Sequence, residues 1–301
     1  MTFQQKYYNI LGIFQKEIGF VLEKMTENIE VQEPLKSKLF TMLNAPSKHI
    51  RPLVSFLYLK AINVDIDKNQ ILYQSAIELV HNASLIHDDV IDGSQIRRNI
   101  STLNNEFGNK LAVVCGDYLL SVAFNKVLHI ALPELIQMFS DTLAVMSEGE
   151  IHQYFNKFKI STIEDYIKKS AQKTAKLFET ALCGSLLIAQ KKCHLEPSGE
   201  ESVLQNDNIH LGQLFARNFG IAFQIRDDLI NCKTTNSDIK DGIYNAPVIF
   251  SGGTNITTDA IEKTTSLLNN YIDRAIECIV DIKENKYKQA LIELLELMRN
   301  E

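Results

Sequence analysis

The chain has 301 residues, 45% hydrophobic and 23% charged, which is enough apolar content for a substantial buried core. A formal charge of −6 without a basic block argues against a general nucleic-acid or anionic-membrane binder, while leaving room for a local basic pocket. Five scattered cysteines, Cys115, Cys183, Cys193, Cys232 and Cys278, have no C-x-x-C spacing and exclude a disulfide framework or zinc site as the organising feature.

Glycine (13) and proline (6) are sparse, which favours long helices over a turn-rich sheet. Helical periodicity predicts helices over 3–26, 33–43, 50–62, 70–92, 101–107, 110–129, 133–156, 163–190, 207–232, 257–281 and 286–299. Pro52 suits an early helical turn, and Ser161 with Glu164 is the expected capping box of the helix that follows. Residues 191–206 and 233–256, rich in Gly, Pro, Asn and Thr, are expected loops. No short repeat or low-complexity tract interrupts this pattern, so one all-α domain over 1–301 is expected. The N-terminus carries no basic region followed by an apolar stretch, and no uninterrupted apolar run reaches the ~18–20 residues of a spanning helix. A cytoplasmic protein without a transmembrane segment is expected.

The helix over 70–92 runs into SLIHDDVIDGSQIRR (84–98). Asp88 and Asp92 stand at i and i+4 on one face, where like charges repel near the negative end of the helix dipole. Two readings remain open for this stretch alone: a solvated helix end paired with Arg97 and Arg98, or a platform for a hard divalent cation and phosphate oxygens. FQIRDDLIN (223–231) then repeats the pattern on a second helix, with Asp227 and Asp228. Facing helices of a bundle build metal sites from such side chains. Basic residues in SKHIRP (47–52), Arg97, Arg98, Lys173 and Lys233 add the rim that diphosphates favour.

In order, SKHIRP, ELVHNASLIHDDVIDGSQIRR, GDYLLS (116–121), EGEIHQ (148–153), KTA (173–175) and FQIRDDLIN cover most of the chain, and together they resemble the trans-polyprenyl diphosphate synthase family. The resemblance implies an all-α isoprenoid synthase fold, a large helical bundle with a central substrate cavity. It implies a prenyltransferase that joins isopentenyl diphosphate to an allylic diphosphate primer, through ionisation, condensation and proton loss, to products of geranylgeranyl length or longer. Magnesium (Mg2+) is the implied cofactor, three ions with substrate diphosphate bound. Asp88 and Asp92 are implied as direct ligands with Asp89 in support, and Asp227, beside Asp228, as the opposite wall. Arg97 is implied to grip the allylic diphosphate, and Lys48, Arg51, His81 and Arg98 the isopentenyl diphosphate. Lys173, Thr174 and Gln224 are expected near the reacting carbons, Lys233 over the leaving group, and Gln153 with the EGEIHQ acids behind them. His87 is read as structural. A homodimer through 110–129 and 133–146 completes the implied picture.

Three departures stand out: Ser47 replaces a glycine, Asn231 replaces the third aspartate of the second cluster, and the following segment is short, so that Lys240 competes with Lys233. Ala83 and Ser84 lie about one turn deeper than Asp88, with Val80 a further turn down. Their small size leaves a product tunnel open unless Phe124 or Phe139 forms its floor. The alternative is a weakly active or regulatory subunit of a heteromeric synthase, which the intact first cluster disfavours. A terpene cyclase would leave Lys48, Arg51 and Arg98 without a substrate.

Overall fold

Buried side chains recur every three to four residues through nearly every segment, and such stripes bury only by packing helix on helix. The structure, a computed structural model, describes residues 3–195, 206–235 and 237–299. Helices α1 (Phe3–Gly12), α2 (Gln15–Thr26), α3 (Leu35–Leu43), α4 (Ile50–Ala61) and α5 (Lys68–Ile91) are followed by a small antiparallel hairpin, β1 (Ile96–Arg97) and β2 (Ile100–Ser101). Then come α6 (Leu103–Phe107), α7 (Asn109–His129), α8 (Pro133–Phe155) and α9 (Ile163–Ser170). A π-helical turn, Ala171–Ala175, leads into α10 (Lys176–Leu195). The remainder comprises α11 (Asn206–Thr234), α12 (Ser237–Lys240), α13 (Ala246–Ser251), α14 (Thr258–Glu277) and α15 (Lys286–Arg299).

The all-α expectation holds, with local differences that have physical causes. The helix predicted over 3–26 is two helices. Gly12 ends the first, and Phe14 turns inward to pack on Phe56 and Tyr287, with ring centroids 5.8 and 5.9 Å away. The α5 helix starts at a capping box that the periodicity does not reveal. Asp67 accepts from the Asn69 and Gln70 N–H groups, and Gln70 accepts from the Asp67 N–H at 2.7 Å. At α9 the cap is Thr162 rather than Ser161, its hydroxyl accepting from the Asp165 N–H at 3.2 Å. The predicted loop 191–206 is helical at both ends, its centre lying outside the described residues, and the loop 233–256 contains α12 and α13.

Two apolar clusters fill the bundle, one among α4, α10, α11, α14 and α15, the other among α5, α7 and α8. The α5 helix runs through the interior between them, against α2, α7 and α10. By length and overall composition alone α7 is long and apolar enough to cross a bilayer, although Lys110, Asp117 and Lys126 interrupt its apolar run. One side of it packs on α5, while Val113, Val114 and Leu128 remain exposed.

Candidate active site

The last turn of α5 presents Asp88, and Asp92 caps the helix, donating its N–H to the Asp88 carbonyl at 2.8 Å. Gly93 then turns the chain away at φ +64°. Buried Asp89 accepts from Arg97 Nε at 2.7 Å, so its carboxylate is spent on the hairpin and does not line the cavity that Asp88 and Asp92 share. Arg97 accordingly lines a small recess under the hairpin, outside that cavity. The two-residue hairpin loop holds Arg98 and Asn99 at φ +51° and +62°, backbone that non-glycine residues rarely adopt, and this turn aims Arg98 at a separate basic cavity.

Across from Asp88 and Asp92, α11 contributes Asp228 and Gln224, and the π turn contributes Lys173 and Thr174. The turn is wedged between two close helix approaches. A Cβ on Gly149 of α8 would lie 3.0 Å from Lys173 Cγ, and one on Gly220 of α11 would lie 2.5 Å from Ala175 Cα. A π turn at this place inserts an extra residue where function demands a particular side-chain direction. Thr174 donates to Gln224 Oε1 at 2.5 Å, Gln224 Nε2 donates to Asp228 at 2.9 Å, and the Tyr166 hydroxyl donates to its other oxygen at 2.6 Å. Lys173 is ion-paired with Glu150, to which Gln153 donates at 3.3 Å.

The carboxylates of this acidic cavity are short of counter-charge. Burial pushes Asp88 up to about 6, with Glu150 and Asp92 adding to the shift and Lys173 opposing it. Burial pushes Asp228 up to about 7 against its hydrogen bonds from Tyr166 and Gln224, and it raises Asp92 as well. An all-oxygen donor set with no thiol or imidazole suits a hard cation. Among the described residues, no three such ligands converge closely enough to hold a metal by themselves. Magnesium uses one or two carboxylates plus substrate phosphates and water, so the donor set fits an ion that arrives with a diphosphate.

Beside it lies the basic cavity, lined by Lys48, Arg51, His81 and Arg98. Arg51 is buried with its guanidinium 4.7 Å above the Phe178 ring, and burial lowers it to about 10, so it stays charged at neutral pH. His81 is pushed well below the usual histidine range by burial and then by Arg51, Arg98, Arg97 and His49, which makes it a neutral hydrogen-bonding group. Glu78, buried on α5, holds His49 Nδ1 at 2.9 Å, and His49 caps α4 at φ +46°. Tyr7 of α1 donates to the Lys48 carbonyl, fixing the loop from the other side. Asp227, expected on the metal wall, lines this basic cavity and lies 3.1 Å from Arg226, leaving Asp228 as the member of the pair that faces Asp88 and Asp92.

A third, mainly apolar cavity descends beneath Asp88, with Val80 and Ser84 of α5, Leu120 of α7, and Leu143 and Met146 of α8 in its wall. It shares Asp88 and Lys173 with the acidic cavity. Ala83 is not in that wall; it is fully buried in the α5–α7–α8 core. His87 lines the cavity and packs so closely on Gly116 that a Cβ there would come within 2.1 Å of its Nε2. One helical turn below Leu120 and Leu143, Phe124 and Phe139 meet edge to face at 5.9 Å, and Phe139 meets Tyr73 in the same way at 5.6 Å.

The lysines after the second cluster do not reach these cavities: Lys233 and Lys240 are both exposed. Two residues without a sequence signal stand there instead. Asp238 on α12 returns to accept from Asn231 Nδ2 at 3.1 Å and from Asn245 Nδ2 at 3.4 Å, which brings a carboxylate beside Asn231 and into the wall of the acidic cavity. Lys169 lines the acidic cavity from α9, its ammonium pulled down by burial and supported by Asp228. Only a hairpin-like return of the expected loop could have revealed Asp238, and nothing in the local pattern marks Lys169 apart from exposed Lys168.

Comparison with known proteins agrees with this architecture. A prenyl transferase of Cyanophora paradoxa is 30% identical, with 94% of this chain and 95% of that protein covered. An octaprenyl diphosphate synthase of Haemophilus influenzae is 27% identical over 91% and 92% of the two chains. The crystal structure of a polyprenyl synthase from Caulobacter crescentus, complexed with calcium and isoprenyl diphosphate, superposes with a TM-score of 0.85 at 20% identity, covering 98% of each chain. The family model described as Polyprenyl synthetase matches residues 32–286, and the chain belongs to that family.

Proposed function

We propose that the chain is a magnesium-dependent trans-prenyltransferase that condenses isopentenyl diphosphate with an allylic diphosphate into a polyprenyl diphosphate of geranylgeranyl length or longer. The observation that carries this reading is the sharing of Asp88 and Lys173 by the acidic and apolar cavities. One site thus takes a metal-bound diphosphate head, and the other, directly beneath it, takes the hydrocarbon attached to that head. The basic cavity supplies a second anion site whose fixed cations suit isopentenyl diphosphate.

Magnesium held by Asp88 and Asp92 on one wall and Asp228 on the other would act as a Lewis acid for the leaving diphosphate. The allylic C–O bond breaks with its electron pair on the diphosphate, the double bond of isopentenyl diphosphate forms the new C–C bond, and a proton is lost. Lys173 binds leaving-group oxygen, with Glu150 holding the ammonium in place. The Thr174 and Gln224 oxygens set dipoles beside the carbocation without becoming nucleophiles. Arg51 and Lys48 orient the isopentenyl diphosphate, while His81 contributes a neutral ring. The exposed Val113, Val114 and Leu128 on α7 support the pairing of two copies through that helix.

Purified protein, Mg2+, radiolabelled isopentenyl diphosphate and a farnesyl or geranylgeranyl diphosphate primer test this directly. Lipid-extractable product of geranylgeranyl length or longer is expected, abolished by a chelator, from a species sedimenting at twice 34.2 kDa. No turnover by the chain alone would overturn the reading and leave the regulatory-subunit alternative.

A further inference from the structure

Among the expected basic residues only Lys173 lines the acidic cavity, against Asp88, Asp92, Asp228 and Asp238. Lys233 and Lys240 are exposed, Arg97 is spent on Asp89, Lys173 is paired with Glu150, and Lys157 lies 3.8 Å from Asp92. Lys169 remains. It precedes Lys173 by four residues, which puts both on the cavity side of the helix. Its ammonium lies 5.8 Å from the centroid of the Tyr166 ring, and it makes no ion pair among the described residues. The Tyr166 hydroxyl is in turn bonded to Asp228, so the platform under Lys169 is tied to the carboxylate that faces Asp88 and Asp92. Lys169 also lines a neighbouring recess with Lys159, His152, Asp165 and Ile243, and of the α9 residues only it and Tyr166 border both spaces.

We propose that Lys169 is a substrate contact, binding the diphosphate of the allylic substrate from the α9 wall in place of the lysine expected after the second aspartate cluster. The assignment rests on the prenyl-transfer reading above. A diphosphate entering this cavity meets Asp88, Asp92, Asp228 and Asp238, and metal ions with Lys173 must otherwise offset that charge. A flexible ammonium without an ion-pair partner can follow the leaving group as the C–O bond stretches, so its contact strengthens as negative charge develops.

The variants Lys169→Ala and Lys169→Arg test this, with exposed Lys168→Ala as control. Two readouts are needed: KM for each substrate, and calorimetric Kd for inorganic pyrophosphate with Mg2+. Losing one charge-assisted contact predicts a rise of about 10- to 100-fold in allylic KM and in pyrophosphate Kd for Lys169→Ala. The KM for isopentenyl diphosphate is expected within about twofold of wild type, with Lys169→Arg recovering most of the loss and Lys168→Ala unchanged. An unchanged pyrophosphate Kd, an equal loss for both substrates, or an effect confined to the melting temperature would overturn the assignment. If Lys169→Ala fails to fold, Lys169→Met preserves the packed stem and reads the same constants. A wild-type protein that binds pyrophosphate through Lys169 yet makes no product would sink the prenyl-transfer reading and leave the anion contact standing.

Discussion

Asp228 is held against its preference for water. It is 6% exposed, and burial moves its carboxyl from the ordinary 3.8 up to about 7. A carboxyl with a raised folded pKa lowers stability as it ionises. Below pH 3.8 neither state is ionised and no penalty exists; between 3.8 and about 7 the unfolded chain loses its proton first and the folded state loses ground. Above that window the penalty is complete, on the order of 4 kcal/mol for a shift of this size. Replacing Asp228 with Asn removes the charge while keeping the Tyr166 bond, since the Gln224 amide can turn over and the Thr174 hydroxyl can then accept from it. Metal-free Asp228→Asn is therefore expected to melt above wild type at about pH 8 and level with it at about pH 4, while losing activity. Equal melting points at both pH values would mean that the carboxylate is not penalised by burial. At this scale the sequence pattern singles out Asp88, Asp92, Lys173 and Gln224, which the structure brings to one cavity. It does not separate Asp227 from Asp228, because neighbours on a helix differ by about 100° and only the packing of α11 decides which one faces Asp88.

The π turn shows what periodicity can and cannot convey about an element. The apolar stripe through 163–190 predicts a continuous helix, and α9, the turn and α10 are indeed collinear in sequence. One extra residue in a single turn rotates everything beyond it by about 100°, too local a change for a pattern read over several turns. The turn depends on its neighbours. Gly220→Ala would place a Cβ 2.5 Å from Ala175 Cα, a backbone atom that cannot swing aside. A loss of about 1–3 kcal/mol in denaturant unfolding is expected, with a fall in kcat as α11 moves and the Thr174–Gln224 bond opens. Gly19→Ala, inside α2 with nothing within 4 Å of the added Cβ, is the converse case and should gain about 0.5–1 kcal/mol. Equal effects at the two glycines would mean that the close crossing of α11 over the turn does not exist in solution. The helix ends were less legible than the helices for a related reason: Asp67 and Thr162 act as caps through side-chain geometry that several neighbouring polar residues could have provided.

Product length is a property of the whole bundle, because three helices together set how far a hydrocarbon can descend. The depth of the relevant positions on α5 follows from sequence spacing, but their direction does not. Ser84 and Val80 line the apolar cavity, whereas Ala83, one residue away, points into the core that joins α5 to α7 and α8. From Asp88 to Tyr73 α5 descends about 22 Å, and Tyr73, Phe139 and Phe124 meet edge to face below the residues that line the cavity. The side wall is less closed, since Ile91 and Ile151 line the cavity and are 45% and 58% exposed. A bulky ring at Ser84 should therefore block the passage about one turn below the metal platform, and Ser84→Phe is expected to shift radiolabelled products to shorter chains. Phe124→Ala removes part of the floor at a half-buried position and is expected to lengthen them. Ala83→Phe, by contrast, overpacks the core, so its signature is a stability loss of about 1–3 kcal/mol rather than a clean change in chain length. Reversed-phase separation of dephosphorylated products from the three variants decides the matter. Shortening by Ala83→Phe with no response to Ser84→Phe would mean that α5 is rotated by one residue from its position here, and that the tail runs along the other side of the helix.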